Sequence, residues 1–317
     1  MIVSNSHHGE RIAEYLHSVP FAVDPLELYT AETLYAGLDI SRPETFSQCY
    51  DQQVYIHFLD KGKVTDNPVE SLARNLHDFC IMQSAKRLLA HYDKCQVVAV
   101  MGGNAMRRDD AAYEKVARIS KALTERGSLM VSGGGSGAME ATGFGAWMAG
   151  RSEGEFREAL SRLAAVPVQE EQDYLAVSLG VIRDYPQPRY INLSIPTWLY
   201  GHEWTSPFAT HIAKLFENSI REDTLLTIAY GGIIYAPGRA GTIQEVFQEA
   251  VQNHYLTFGF ASPMVFLDTE FWTKTTPFYP LLVDLMEKGI YKNLILSLSD
   301  DVDEVVRTIT DFRNGKS

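Results

Sequence analysis

The chain has 317 residues, of which 45% are hydrophobic and 21% charged, a composition typical of globular proteins. Its formal net charge is −12, so it is a poor general binder of nucleic acid or of anionic membranes. A small phosphorylated ligand is not excluded, because such a ligand needs only a local positive pocket.

The cysteines and histidines show no pattern typical of disulfides or metal sites. Cys49, Cys80 and Cys95 lack metal-ligand spacing and cannot all pair, which fits a reducing cytoplasm. The nine histidines form no HExxH-like cluster, so we expect no metal and no other cofactor. The chain start lacks a signal-peptide pattern, and the apolar runs are too short to cross a bilayer. The sequence therefore predicts a soluble cytoplasmic protein.

Residues 1–95 predict a mostly helical N-terminal extension. Residues 53–59 have a β-like composition, whereas the stretch after Asn67 predicts a helix to about His91. Asn67 is a suitable N-cap, and Pro68 suits the first helical position. The apolar residues of this helix fall on one face at helical spacing, which favours burial of that face. They are Val69, Leu72, Leu76, Phe79 and Cys80.

Residues 96–317 alternate between strand-like and helix-like runs and predict a second domain. This alternation is typical of a doubly wound, Rossmann-like α/β fold, a parallel sheet with helices on both faces. The predicted strands are 96–101, 128–132, 175–181, 227–236 and 263–268. The predicted helices lie near 110–126, 138–148, 153–163, 207–222, 243–255, 277–288 and 301–313.

Three of the predicted strands end in glycine loops, at 102–103, 133–137 and 238–241. In a parallel sheet these loops share one edge, where ligands bind at the point of reversed strand order. Residues 102–104 are therefore candidates for contact with a base or a ribose.

Residues 237–245 form the most informative segment, because a strand turns through glycines into a helix N-terminus. Such a junction binds anions through unpaired N–H groups and the helix dipole. A carboxylate one turn into the helix would repel an anion, so its presence beside an anion site needs another reason. Glu245 therefore indicates acid–base or charge-stabilising chemistry. A structural turn followed by an exposed Glu is the alternative. The predicted phosphate-binding residues are Gly238, Arg239, Ala240, Gly241 and Thr242.

The loop from Gly133 to Ala138 can be written G-x-G-x-x-A, a loose form of the dinucleotide fingerprint. It follows the second strand of the alternation instead of the first, which disfavours a nicotinamide or flavin dinucleotide. A tight turn and a phosphate or ribose contact both remain open. The sequence contains no GxxxxGK[ST] motif, which disfavours a P-loop nucleoside triphosphatase.

Together these two segments resemble the Lonely guy (LOG) family of nucleotide phosphoribohydrolases, formerly labelled "lysine decarboxylase-like". Its GGGxxGLMG-type loop corresponds to residues 133–140, and its PGGxGTxxE loop corresponds to residues 237–245. The resemblance covers roughly residues 96–270. The amino-acid sequences of residues 218–223 and 247–250 are most similar to those of the longer bacterial nucleotide 5′-monophosphate nucleosidases.

The resemblance implies hydrolysis of a nucleoside 5′-monophosphate to free base and ribose 5-phosphate by a homo-oligomer, a dimer or larger. It implies that Glu245 is the catalytic carboxylate and that Arg221, 24 residues earlier, works with it. On its own, Arg221 would be interpreted as a charge near a helix end. The implied substrate contacts are Gly102, Gly103, Asn104, Gly134, Gly135, Gly137 and Met139.

Arg239 and Glu140 depart from the family motifs, as does Ala138. They leave room for a regulator that binds a nucleotide without turnover. A pyridoxal-phosphate decarboxylase is the third reading, and no lysine stands in a context that supports it. Arg107 and Arg108 are either ligand contacts or part of a solvated loop. Residues 200–204 form either a lid or ordinary aromatic packing.

Overall fold

A computed structural model describes residues 7–166, 171–201 and 204–315. Seven strands form one sheet within this part of the chain. They are β1 (Val97–Met101), β2 (Leu129–Ser132), β3 (Asn192–Ser194), β4 (His211–Ile212), β5 (Ile233–Tyr235), β6 (Pro263–Leu267) and β7 (Ile295–Ser299). The helices are α1 (His7–Ser18), α2 (Ala31–Leu34), α3 (Tyr50–Asp60), α4 (Pro68–Leu89), α5 (Ala111–Glu125), α6 (Ala138–Trp147), α7 (Glu153–Ala164), α8 (Glu171–Asp184), α9 (Asn218–Thr227), α10 (Ala240–Tyr255), α11 (Phe278–Glu287) and α12 (Val302–Arg313).

The strand order is β4-β3-β2-β1-β5-β6-β7, and all neighbouring strands are parallel. This confirms the predicted α/β, Rossmann-like fold. The order reverses between β1 and β5, because the chain first builds outward from β1 to β4 and then crosses to the other side. The loops after β1 and β5 therefore flank the crevice in which such sheets bind ligands.

The central strand β1 is fully buried because both faces of the sheet are covered. Val98 and Val100 pack into one hydrophobic core, whereas Val97, Ala99 and Met101 pack into the other. Side chains alternate between the two faces of a strand, so an unbroken apolar run is the pattern of a strand buried on both sides.

The N-terminal helices share the second of these cores with the sheet. Leu34, Val54 and Ile81 belong to the same buried cluster as the inward residues of β1. Tyr29 forms an antiparallel bridge with Ile212 of β4, with hydrogen bonds of 2.9 and 2.8 Å, and so covers the edge of the sheet. The division at residue 95 stays a prediction, but the hydrophobic contact across it is continuous.

The start of α4 is as predicted, but its buried face is the opposite one. The Asn67 side chain accepts hydrogen bonds from the N–H groups of Val69 and Glu70, and Pro68 is the first helical residue. Leu72 and Phe79 are 48% and 60% exposed. The face turned towards the protein carries polar residues instead, because these have specific partners on other elements. They include Glu70, Arg74, His77 and Asp78.

One predicted strand and one β-like stretch are helical in the structure. Residues 53–59 belong to α3, where Asp51, Val54 and Phe58 are buried at helical spacing. Residues 175–181 belong to α8, where Leu175, Ser178 and Val181 are buried at intervals of three. Both stretches are rich in Val, Ile, Leu and aromatic residues, a composition that is typical of strands. Their buried residues, however, recur with the period of a helix.

The region before the second glycine motif also differs from the prediction. Residues 207–222 were predicted as one helix, but they contain β4, and α9 begins only at Asn218. Of the predicted strand 227–236, only residues 233–235 form β5. β3, β4 and β7 were not predicted, and two of them have three residues or fewer, too short for a periodic pattern. None of the described helices is long and apolar enough to cross a membrane.

Candidate active site

A cleft of about 240 Å³ lies at the switch point between β1 and β5. The strand order alone predicts a ligand site at this point. Its lining combines the end of β1 and the loop after it with residues of α9 and the start of α10. The lining residues are Val100, Met101, Gly102, Gly103, Asn104, Gly133, Met139, Tyr200, Arg221, Glu222, Arg239, Gly241, Thr242 and Glu245.

The three glycine loops are bonded to one another at the rim of this cleft. Gly103 N donates to the carbonyl of Pro237 at 2.9 Å, and Ala138 N donates to the carbonyl of Gly103 at 3.1 Å. Gly137 has a φ of 66°, and a Cβ on it would lie 2.3 Å from Gly103 O. Only glycine allows that approach, so these loops form one backbone unit.

The N-terminus of α10 opens into the cleft. Its N-cap residue, Arg239, makes no side-chain capping bond, and helix geometry leaves the first N–H groups without intrahelical acceptors. A Cβ on Gly238 would lie 2.2 Å from Thr242 Oγ1, so this glycine lets Thr242 fold back over the loop. A Cβ on Gly241 would meet nothing within 4 Å, so its backbone faces open space. The arrangement presents N–H groups, a hydroxyl and an exposed guanidinium to an anion.

Two carboxylates face each other in the cleft. Glu245 is only 7% exposed, and the Glu222 carboxylate lies near enough in the same cleft to act on its charge. Burial raises the pKa of Glu245 to about 8, the charge of Glu222 adds to the rise, and Arg221 opposes it. Glu222 Oε2 is buried and has no hydrogen-bond partner. A pKa of about 8 keeps the Glu245 carboxyl mostly protonated at neutral pH, beside the second carboxylate.

Arg221 is fixed beside this pair. Its Nε donates to the carbonyl of Ile195 at 3.1 Å, and its Nη1 donates to Glu222 Oε1 at 3.0 Å. Its Nη2 lies 3.9 Å from the sulfur of Met139. A Cβ on Gly133 would lie 2.4 Å from Nη2, so the glycine of the first motif makes room for the guanidinium.

The structure brings most of the predicted site residues together. Nine of them line the cleft: Gly102, Gly103, Asn104, Met139, Arg221, Arg239, Gly241, Thr242 and Glu245. Gly134 and Gly135 line an adjoining groove with Pro196, Thr197 and Tyr200. Gly137 allows the close contact with the loop at Gly103, and Gly238 allows Thr242 to pack against it. Ala240 is exposed at the start of α10.

Glu222 was not among the predicted site residues. An acidic residue directly after Arg221 was visible, but which way it points depends on where α9 begins. Arg221 is not near the end of a helix but is the fourth residue of α9, so both side chains lie near its N-terminus.

Several other candidates lie away from the cleft. Arg107 pairs with Asp109 at the surface, and Arg108 is buried against Glu140, so neither reaches a ligand. Trp204 packs on Phe46 with ring centroids 4.1 Å apart, whereas Tyr200 lies at the cleft and is half exposed. Residues 202–203 of that stretch lie outside the described residues. Among the described residues, no group of three or more His, Cys, Asp or Glu side chains could hold a metal ion.

No family model and no curated protein matches the chain. Solved structures are similar to it at low identity. The molybdenum cofactor binding protein of Rippkaea orientalis is 12% identical, with a TM-score of 0.42 over 68% of this chain and 96% of that one. The molybdenum cofactor carrier protein of Chlamydomonas reinhardtii is 14% identical, with a TM-score of 0.43 over 69% and 98%. The protein TM1055 is 15% identical, with a TM-score of 0.43 over 68% and 98%. At this level the similarity concerns the fold alone.

Proposed function

We propose that this chain is a nucleoside 5′-monophosphate phosphoribohydrolase of the LOG type. It hydrolyses the N-glycosidic bond and releases free base and ribose 5-phosphate. The observation that carries the proposal is the buried Glu245 with the partly buried Glu222 and Arg221 beside it, next to an uncapped helix N-terminus. A cytoplasmic homo-oligomer that needs no cofactor is part of the same proposal and rests on the family resemblance.

The 5′-phosphate binds at the N-terminus of α10. The N–H groups of its first turn, the Thr242 hydroxyl and the exposed Arg239 supply donors and positive charge. Thr242 and Glu245 are three residues apart on one helix, so an anchored phosphate brings the sugar close to the carboxylates. Binding energy at the phosphate thus orients the reacting bond.

The carboxylate pair carries the chemistry. As the bond between C1′ and the base nitrogen breaks, the sugar gains oxocarbenium-like positive charge, which the ionised member of the pair stabilises. The pair's proton goes to the base nitrogen. Water adds to C1′ and returns one proton to the ionised carboxylate, so the pair ends the cycle with a single proton. Arg221 holds Glu222 in place through this exchange.

The same pair argues against a site built for binding only. Burying two carboxylates together costs free energy, and a nucleotide sensor would gain nothing from it. One of the motif departures that left room for a sensor, Glu140, is engaged with Arg108 away from the cleft. The other, Arg239, adds a positive charge beside the proposed phosphate site.

The proposal is tested by incubating the purified protein with AMP, GMP, IMP, CMP, UMP and dAMP and following free base by chromatography. Glu245→Ala should abolish base release and leave nucleotide binding, measured by calorimetry, largely intact. Glu249→Gln is the matched control, because Glu249 is a buried carboxylate one turn further along α10 that bonds to Ser262. The control should keep activity. Binding without base release from any of the six nucleotides would overturn the proposal.

A further inference from the structure

The buried polar face of α4 reaches the helix that carries Arg221 and Glu222. Asp78, on that face, is 1% exposed. Its carboxylate accepts the N–H of Phe216 at 3.0 and 3.1 Å and the N–H of Glu217 at 2.8 Å. Glu217 is the N-cap of α9. A carboxylate from the N-terminal region therefore holds the start of α9, one turn before the site residues.

Asp78 is itself held by a chain of buried groups. His77 Nδ1 lies 2.8 Å from Asp78 Oδ1, and its Nε2 lies 2.9 Å from the hydroxyl of Tyr29. Tyr29 is tied by its backbone to Ile212 of β4. This chain orients the carboxylate, because each polar group in it has a fixed partner in a low-dielectric interior.

We propose that Asp78 is a positioning residue that sets the place of Arg221 and Glu222 relative to Glu245. This proposal rests on the proposed function. Glu245 is on α10, which follows β5 in the chain. Arg221 and Glu222 are on α9, which precedes β5. Their relative position depends on how α9 is seated, and Asp78 bonds to the backbone at the start of that helix. The N-terminal region, which lies outside the family resemblance, thereby acts on the active site.

A purely stabilising role for Asp78 predicts a different result. A capping carboxylate that only stabilises the fold would change the unfolding transition and leave the folded enzyme unaffected. A positioning residue changes kcat in the folded enzyme, because small displacements of reacting groups cost large factors in rate. The Michaelis constant should change little, because the phosphate binds at α10 and not at α9.

The experiment compares Asp78→Asn with Asp301→Asn. Asp301 is the control, since its side chain caps α12 by accepting the N–H of Glu304 at 2.8 Å, on an element that does not line the cleft. We expect Asp78→Asn to lower kcat by about tenfold to a hundredfold at nearly constant KM. Asp301→Asn should leave both constants unchanged. Equal kcat in the two folded variants would overturn the proposal.

Tyr29→Phe provides a milder variant in case Asp78→Asn does not fold. It removes only the hydroxyl next to His77, so a loss of kcat of a few fold at constant KM is expected. An unchanged kcat in Tyr29→Phe, with Asp78→Asn unfolded, would count against the proposal.

A second readout separates this inference from the proposed function. The titration of Glu245, followed by NMR in protein labelled with ¹³C at the glutamate carboxyls, depends on the facing groups Glu222 and Arg221. Asp78→Asn should shift this titration, and Asp301→Asn should not. If the wild-type protein releases no base but the shift appears, the function is wrong and the positioning stands. If base is released but neither kcat nor the titration changes, the positioning is wrong.

Discussion

The two helices that follow glycine loops at the site, α6 and α10, begin in similar ways, but the glutamates near their starts have opposite surroundings. Neither N-cap makes a side-chain capping bond, and each helix carries a buried glutamate near its start, Glu140 in α6 and Glu245 in α10. Glu140 accepts two hydrogen bonds from Arg108 and one each from Tyr113 and Tyr174. Glu245 faces another carboxylate instead.

The difference teaches that the motif supplies a position, while the partners decide what the carboxylate does. A glutamate surrounded by donors is a structural anchor whose charge is fully compensated. A glutamate whose pKa is raised to about 8 beside a second carboxylate can exchange its proton with a substrate. The glycine loops alone do not distinguish these two outcomes.

The largest expected effect is the loss of stability in Glu140→Gln. The substitution leaves the buried Arg108 without its counter-charge, so the free energy of unfolding should fall by about 3–5 kcal/mol. Glu245→Gln should change it by less than about 1 kcal/mol near pH 4, where the Glu245 carboxyl is mostly protonated in both the folded and the unfolded chain. Urea unfolding of both variants measures the two values, and similar losses would show that the two glutamates have similar roles.

The pH dependence of stability sharpens the same comparison. Because the pKa of Glu245 is raised in the folded protein, its stabilising share is complete at low pH and is lost as the pH rises from about 4.5 to about 8. Glu245→Gln should therefore be more stable than the wild type at pH 9. Denaturation at pH 6 and pH 9 tests this, and a variant that is no more stable at pH 9 contradicts it.

An effect of intermediate size is expected in the pH–rate profile. The proposed mechanism needs one proton on the pair, so kcat/KM should fall above about pH 8. Glu222→Gln removes the charge that helps to raise the pKa of Glu245. It should lower kcat about a hundredfold and move the alkaline limit to lower pH. An alkaline limit that stays in place in Glu222→Gln would show that the two carboxylates are not coupled.

The smallest expected effect concerns the phosphate site. A methyl group on Gly241 meets no protein atom within 4 Å, so Gly241→Ala should keep or slightly raise the melting temperature. The methyl enters the cleft, and KM should rise about tenfold with kcat nearly unchanged. Gly238→Ala is the contrasting variant, because its Cβ would overlap Thr242. An unchanged KM in Gly241→Ala would mean that the phosphate binds elsewhere.

Much of the fold was predictable because its long elements have strong local signals. The apolar run of β1, the Asn67–Pro68 start of α4 and the glycine loops are properties of neighbouring residues. The cleft followed from them, since strands that end in glycines meet at one edge of a parallel sheet. Glu245, Arg221 and Thr242 line one cleft, while their roles stay a prediction.

What the sequence could not reveal depends on contacts between distant segments. The buried face of α4 carries Asp78 and His77, and only the arrival of Phe216 and Tyr29 makes their burial favourable. Local periodicity pointed to Leu72 and Phe79 instead. Glu222 was missed for a related reason, since its role depends on Glu245, which lies on another helix.

The hydrogen bonds between the N-terminal helices and the rest of the chain also bear on the order in which parts of the protein fold during synthesis. Asp51 pairs with Lys214, 163 residues later, and Asp78 pairs with Phe216, 138 residues later. Contacts so distant in sequence form slowly, and the N-terminal part of a nascent chain is complete long before its partners exist. We therefore expect the glycine loops and the sheet to form around an unfinished cleft, and Arg221 and Glu222 to reach their places only when the beginning of the chain docks.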